Sequence, residues 1–148
     1  GGLCMDTDFE FDMRLDDNGV LLFKFGGIFD VDQWVDRQRA ASARLFGNGI
    51  DPRLPAVVDL RRFIPPQGDW NKIAKLVFAS SQTMGETRQR CALITGGNFC
   101  IELACRFYIT SKAIMSRTKC ETRTFCTFED GYAWAAENLV IPVPTRLH

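Results

Sequence analysis

The sequence predicts a single α/β domain, a five-stranded mixed sheet with helices packed against it. Three observations predict this class. Residues 55–63 (PAVVDLRRF) open on an unbroken apolar run, Ala56, Val57 and Val58. A short run without polar alternation reads as a strand buried on both faces. Helical patterns precede and follow it, and strands alternating with helices imply parallel pairing through right-handed crossovers. Asn18-Gly19 lies between two apolar-rich runs, which marks a hairpin and makes the first strand antiparallel.

The elements follow in the order β-β-α-β-α-β-α-β-α. Residues 9–15 (FEFDMRL) alternate apolar and polar, as a half-exposed strand does. Residues 20–25 (VLLFKF) are the return strand, which Gly26-Gly27 is expected to break. Asp30 is placed to cap a helix over 31–46, with Val31, Trp34, Val35, Leu45 and Phe46 on one face. Gly47 ends it. Pro65-Pro66-Gln67-Gly68 forms a loop by composition. Asp69 then caps a second helix over 70–84. CALIT at 91–95 is a buried strand, and Gly96-Gly97-Asn98 turns into a third helix, 99–116. A strand over 121–127 and a helix over 128–138 close the order. In that last helix Tyr132, Ala133, Ala136 and Leu139 are expected to point inward.

The 148 residues suit one domain, set at 9–139. Residues 1–8 are expected to be a tag remnant and flexible N-terminus, and 140–148 a proline-containing tail. Eighteen basic residues balance eighteen acidic ones, which argues against nucleic acid or an anionic membrane surface as the main partner. No apolar run reaches the ~20 residues of a membrane span, and the opening residues are not expected to act as a signal peptide. The six cysteines lack paired CxxC spacing. They are expected to be free thiols in a cytoplasmic protein, with no metal and no cofactor. The single histidine is His148, so histidine-based nucleophile pairs are excluded.

The element order resembles the STAS domain (sulfate transporter and anti-sigma factor antagonist), and more closely the free-standing bacterial SpoIIAA-like proteins. Three stretches carry the resemblance: GVLLFKFGGIFDVDQW, PAVVDLRRF and FEDGYAWAAENL. It implies a non-enzymatic regulatory or binding module. It also implies, in some members, a phosphorylated serine in the turn after the central strand. Here that turn, residues 63–70, contains no Ser or Thr, so no phosphoacceptor carries over and no phosphoserine switch is expected there.

Candidate site residues lie where ligands bind in open α/β sheets, beyond the carboxyl ends of the parallel strands. Gly96, Gly97 and Asn98 at a helix start offer backbone N–H groups to an anion; the plain alternative is a glycine turn with an Asn cap. Asp59, Arg61, Arg62 and Asp69 cluster at the central strand's exit, either as an ion pair with a helix cap or as the rim of a pocket. Trp70 and Phe99 supply an apolar wall. Two aspartates, Asp59 and Asp69, offer an acid–base pair to an enzyme. In the third helix Phe99, Leu103, Phe107 and Ile114 read as the core stripe. Ile101, Cys105, Tyr108 and Ile109 then form an outer arc for a homodimer. Two rival functions stand beside the regulatory module: a carrier of a small anionic or apolar molecule, and an enzyme built on Asp59 and Asp69.

Overall fold

Five strands form one sheet in chain order: β1 (Glu10–Leu15), β2 (Leu21–Ile28), β3 (Ala56–Ile64), β4 (Arg90–Ile94) and β5 (Glu121–Phe125). β1 is antiparallel to β2, and every later pairing is parallel. The computed structural model describes residues 8–47, 54–65, 71, 74–75, 90–115, 120–137 and 139. Three helices are complete among them: α1 (Val31–Phe46), α2 (Phe99–Met115) and α3 (Phe128–Ala136). Of the helix expected over 70–84, Asn71, Ala74 and Lys75 are helical and the rest lies outside the described residues. No helix among the described residues is long and apolar enough to cross a membrane.

The run 56–58 is central, as its composition predicts. Ala56 and Val57 are fully buried and Val58 nearly so. Successive strand side chains point to opposite faces, so Ala56 and Val58 enter one core cluster and Val57 the other. α1 and α2 cover the first face through Trp34, Ala41, Ile101 and Cys105. α3 covers the second through Ala135, packed with Val20, Val57, Ala92 and Ile94. The first cluster is rich in phenylalanine. Phe9, Phe11, Phe25, Phe29 and Phe63 pack tilted or edge-on, with Phe11 to Phe25 at 5.1 Å and Phe9 to Phe29 at 5.7 Å between ring centres. Such pairs contribute about 1 kcal/mol beyond their area.

Each of the three complete helices is capped at its start by the residue the local sequence offers. Asp30 Oδ1 accepts from the Gln33 N–H at 3.0 Å, Asn98 Oδ1 from Ile101 at 3.0 Å, and Thr127 Oγ1 from Asp130 at 3.2 Å. The hairpin turn is held by Asp16, whose Oδ1 accepts from the N–H groups of Asn18 and Val20 at 2.9 Å each. Within this turn positive φ is taken by Gly19 alone, at 87°. The Tyr132 hydroxyl donates to Asp16 Oδ2 and accepts from Asn18 Nδ2, which ties the hairpin to α3.

Three expectations are corrected. Gly26 and Gly27 do not end β2, which runs on to Ile28. Pairing on both sides, with Glu10 and with Arg62, outweighs the weak strand preference of glycine. Here β3 carries one residue more than β2 between the Lys24–Asp59 and Gly26–Arg62 pairs. Gly27 sits beside this irregularity at φ 70°, and Phe63 returns to the phenylalanine face. In α3 Tyr132 and Ala136, with Leu139 beyond its end, pack against the sheet cluster as expected, but Ala133 is exposed and the fully buried positions are Gly131 and Ala135.

The third correction concerns α2, whose two faces are exchanged. Ile101 and Cys105 are buried against the sheet, at 2% and 4% exposure. Tyr108 and Ile109 pack against the same cluster. Phe99, Leu103 and Ile114, read from the sequence as core, are 74%, 42% and 80% exposed. The expected outer arc is therefore the inner one.

Candidate functional site

Three chain segments meet beyond the carboxyl ends of β3, β4 and β5. β3 brings Asp59 and Arg61 to the same side, two residues apart. Arg61 donates Nε to Asp59 Oδ1 at 2.9 Å and Nη2 to Oδ2 at 2.8 Å, and its backbone N–H reaches Oδ1 at 3.1 Å. Burial works to raise the Asp59 pKa. The Arg61 hydrogen bonds, with the Arg61 and Lys24 charges, outweigh it and hold the carboxyl below its ordinary value. The same hydrogen bond raises the Arg61 guanidinium, with a further electrostatic contribution from Glu129.

The Arg61 stem lies on Gly96. A Cβ at Gly96 would come 3.1 Å from Arg61 Cγ, and its φ of 69° already favours glycine. Gly97, at φ 79°, faces Cys126, whose Sγ would lie 3.4 Å from an added Cβ. Thr95, 1% exposed, ties the loop together. Its Oγ1 accepts from the Gly97 N–H at 3.2 Å, and its carbonyl accepts from Asn98 at 3.3 Å. The hydroxyl lies within reach of Glu102 Oε1 at 3.3 Å and the Phe125 carbonyl at 3.4 Å; its one proton serves them in turn. The N–H groups of Gly97, Asn98, Ile101 and Glu102 thus all bond within the loop and first helical turn. Asn98 acts as a cap, and these donors stabilise the turn instead of facing an incoming anion.

The structure therefore brings Asp59, Arg61, Gly96, Gly97 and Asn98 into one region. Arg62 is exposed beside the pair. Asp69 and Trp70 lie outside the described residues. Phe99 opens its ring to solvent and forms no inner wall. Asp59 is committed to Arg61 through both oxygens, a poor arrangement for exchanging protons near neutral pH. Among the described residues no group of three or more His, Cys, Asp or Glu is placed to hold a metal.

Two features escaped the sequence reading. One is the exposed apolar stripe of α2, Phe99, Leu103 and Ile114. Its spacing was visible, but its side was not. The other is a cavity at the carboxyl end of β2, beside the start of α1. The signal for it was Ile28, a large apolar residue after two glycines.

A hairpin leading into three parallel pairings, with helices on both faces, defines the SpoIIAA-like fold. The chain is similar to an uncharacterised protein of the DUF3478 family with a SpoIIAA-like fold from Shewanella loihica PV-4. The two superpose with a TM-score of 0.55 at 19% identity, over 86% of this chain and 93% of that one. At this identity the likeness establishes the fold and nothing finer. No family model and no curated protein matches the chain.

Proposed function

We propose that the chain is a non-catalytic regulatory module of SpoIIAA-like fold. It is cytoplasmic, lacks the phosphoserine switch, and acts by protein–protein contact as a homodimer. One observation carries this reading: α2 is apolar on two sides, and only one side meets the sheet. Phe99, Leu103 and Ile114 stand on the outer side, where exposed apolar stripes mark interaction surfaces.

The occupant is a second copy. Leu103, Phe107, Thr110 and Ile114 recur at intervals of four, three and four residues, the spacing of a helix–helix seam. A two-fold interface presses one patch against itself, which suits an apolar stripe better than a charged one. The formal net charge of zero adds no overall repulsion between copies. The locked Asp59–Arg61 pair also supports a non-catalytic reading over an enzyme built on Asp59.

Sedimentation analysis tests the reading. The parent should sediment as a dimer in the micromolar range, and Leu103→Glu with Ile114→Glu should make it monomeric without loss of helix content. A parent that stays monomeric at high micromolar concentration removes the proposal.

A further inference from the structure

A cavity of about 510 Å³ opens at the carboxyl end of β2. That volume falls within the range of small-molecule sites. It shares no lining residue with the Arg61 region and lies on the side where β1 begins and α1 starts. Its apolar lining comes from Phe9, Ile28, Phe29 and Val31. Phe9 and Phe29 are fixed by their edge-on contact, and Ile28 keeps half its surface open to solvent at 49%. The floor is therefore both rigid and incompletely covered.

The polar lining has two signs of charge. Asp8, Asp30, Gln33 and Lys75 all border the cavity. Asp30 is already engaged: Oδ1 takes the Gln33 N–H and Oδ2 takes Gln33 Nε2, each at 3.0 Å. Gln33 Oε1 in turn accepts from Arg37 Nη2 at 2.9 Å, and Arg37 lies over the Phe9 ring. These bonds hold the wall in place. No ion pair among the described residues joins Asp8 and Lys75. One carboxylate and one ammonium thus border an apolar floor without neutralising each other.

We propose that this cavity binds a small zwitterion with an apolar body, the chemistry of an aliphatic or aromatic α-amino acid. The ligand ammonium meets Asp8, its carboxylate meets Lys75, and its side chain covers Ile28 and Phe29. A lone anion would leave Asp8 unmatched and bring a second negative charge beside Asp30. A lone cation would face Lys75. A zwitterion satisfies both groups while the apolar body removes Ile28 from water.

Titration calorimetry of the full chain with L-leucine tests this. 3-Methylbutylamine and 4-methylpentanoate serve as probes that each lack one charge. Leucine should bind saturably at millimolar concentration or below, and each single-charge probe at least tenfold more weakly. Lys75→Gln and Asp8→Asn, both changes at exposed positions, should each weaken leucine binding about tenfold, the size of one charged hydrogen bond. Absence of saturable leucine binding overturns the proposal. So does equal binding of leucine and the amine, or leucine affinity that survives both substitutions. None of these results bears on the α2 dimer, which is read by sedimentation.

Discussion

Arg61 grips Asp59 with two parallel hydrogen bonds, 2.9 and 2.8 Å long, at the carboxyl end of the central strand. The carboxylate is mostly buried, at 15% side-chain exposure, while the guanidinium is about half exposed at 47%. Solvent screens such a pair, so its contribution is about 0.5–1 kcal/mol. Its pH dependence has a definite sign. The Asp59 pKa is lowered by folding from 3.8. Its stabilisation is therefore present above pH 3.8 and is lost as pH falls through that value and the lower folded one. Arg61→Gln should lower the melting temperature at neutral pH. The gap between parent and variant should shrink below pH 3.8. Thermal melts across that range decide it, and a gap that is unchanged in acid would show that the pair is not coupled to folding.

The cysteines should divide by burial. Burial pushes the Cys105 thiol up to about 12, with Cys91 and Glu102 adding to the rise. At about pH 8 only roughly one Cys105 in ten thousand is then a thiolate, against about one in four for an ordinary thiol. Cys100 and Cys126 are exposed. Iodoacetamide labelling of the native protein, read by peptide mass spectrometry, should modify Cys100 and Cys126 first. Cys105 should label only under denaturing conditions. Early labelling of Cys105 would place it outside the core.

Element order and the central strand were legible because they rest on local chemistry. Ala56, Val57 and Val58 have no polar neighbour to turn outward, and Asp30, Gly47 and Asn98 carry their cap identities in their side chains or lack of one. The faces of α2 were not legible. Apolar residues occur at 99, 100, 101, 103, 104, 105, 107, 108 and 109, so the pattern contains two stripes, and the charged Glu102 and Arg106 do not decide between them. Which stripe is inner depends on where the sheet lies, and that is a tertiary fact. Gly26 and Gly27 failed for a similar reason: their strand conformation is imposed by partners on both sides, which local preference does not record. In the candidate site the Asp59–Arg61 pair was among the readings the sequence allowed. Its bidentate geometry, with Gly96 under the arginine stem, needed the structure.

The two faces of α2 should respond oppositely to charge. Ile101→Asp puts an unpaired carboxylate where only 2% of the side chain now meets water, a cost of several kcal/mol. Ile114→Asp, at 80% exposure, should change monomer stability by no more than about 0.5 kcal/mol. Urea unfolding of the two variants, with the dimer-free double variant as reference, compares them directly. Equal losses would mean that the helix is rotated from its described setting.

Gly131 gives the sharpest test of packing between α3 and the sheet. It sits inside the helix, where alanine has the better intrinsic preference by about 1 kcal/mol. By that rule alone Gly131→Ala should stabilise. The structure argues the reverse. Gly131 is buried, and an added methyl would overlap Ile94 Cδ1, with Ala92 Cβ and Phe125 Cδ2 each 3.4 Å away. Ile94 is itself fully buried, so its terminal methyl has little room to swing aside. Overpacking of this kind costs about 1–3 kcal/mol, which cancels or exceeds the helical gain. We expect Gly131→Ala to lower stability by about 1 kcal/mol net. Ile94→Val removes the overlapping methyl and by itself should cost about 1 kcal/mol. Combined, the two changes should cost clearly less than their sum, because the new methyl fills the space that the valine vacates. A double-mutant cycle in urea reads this coupling. Strict additivity, or stabilisation by Gly131→Ala alone, would show that α3 does not pack on β4 through Gly131.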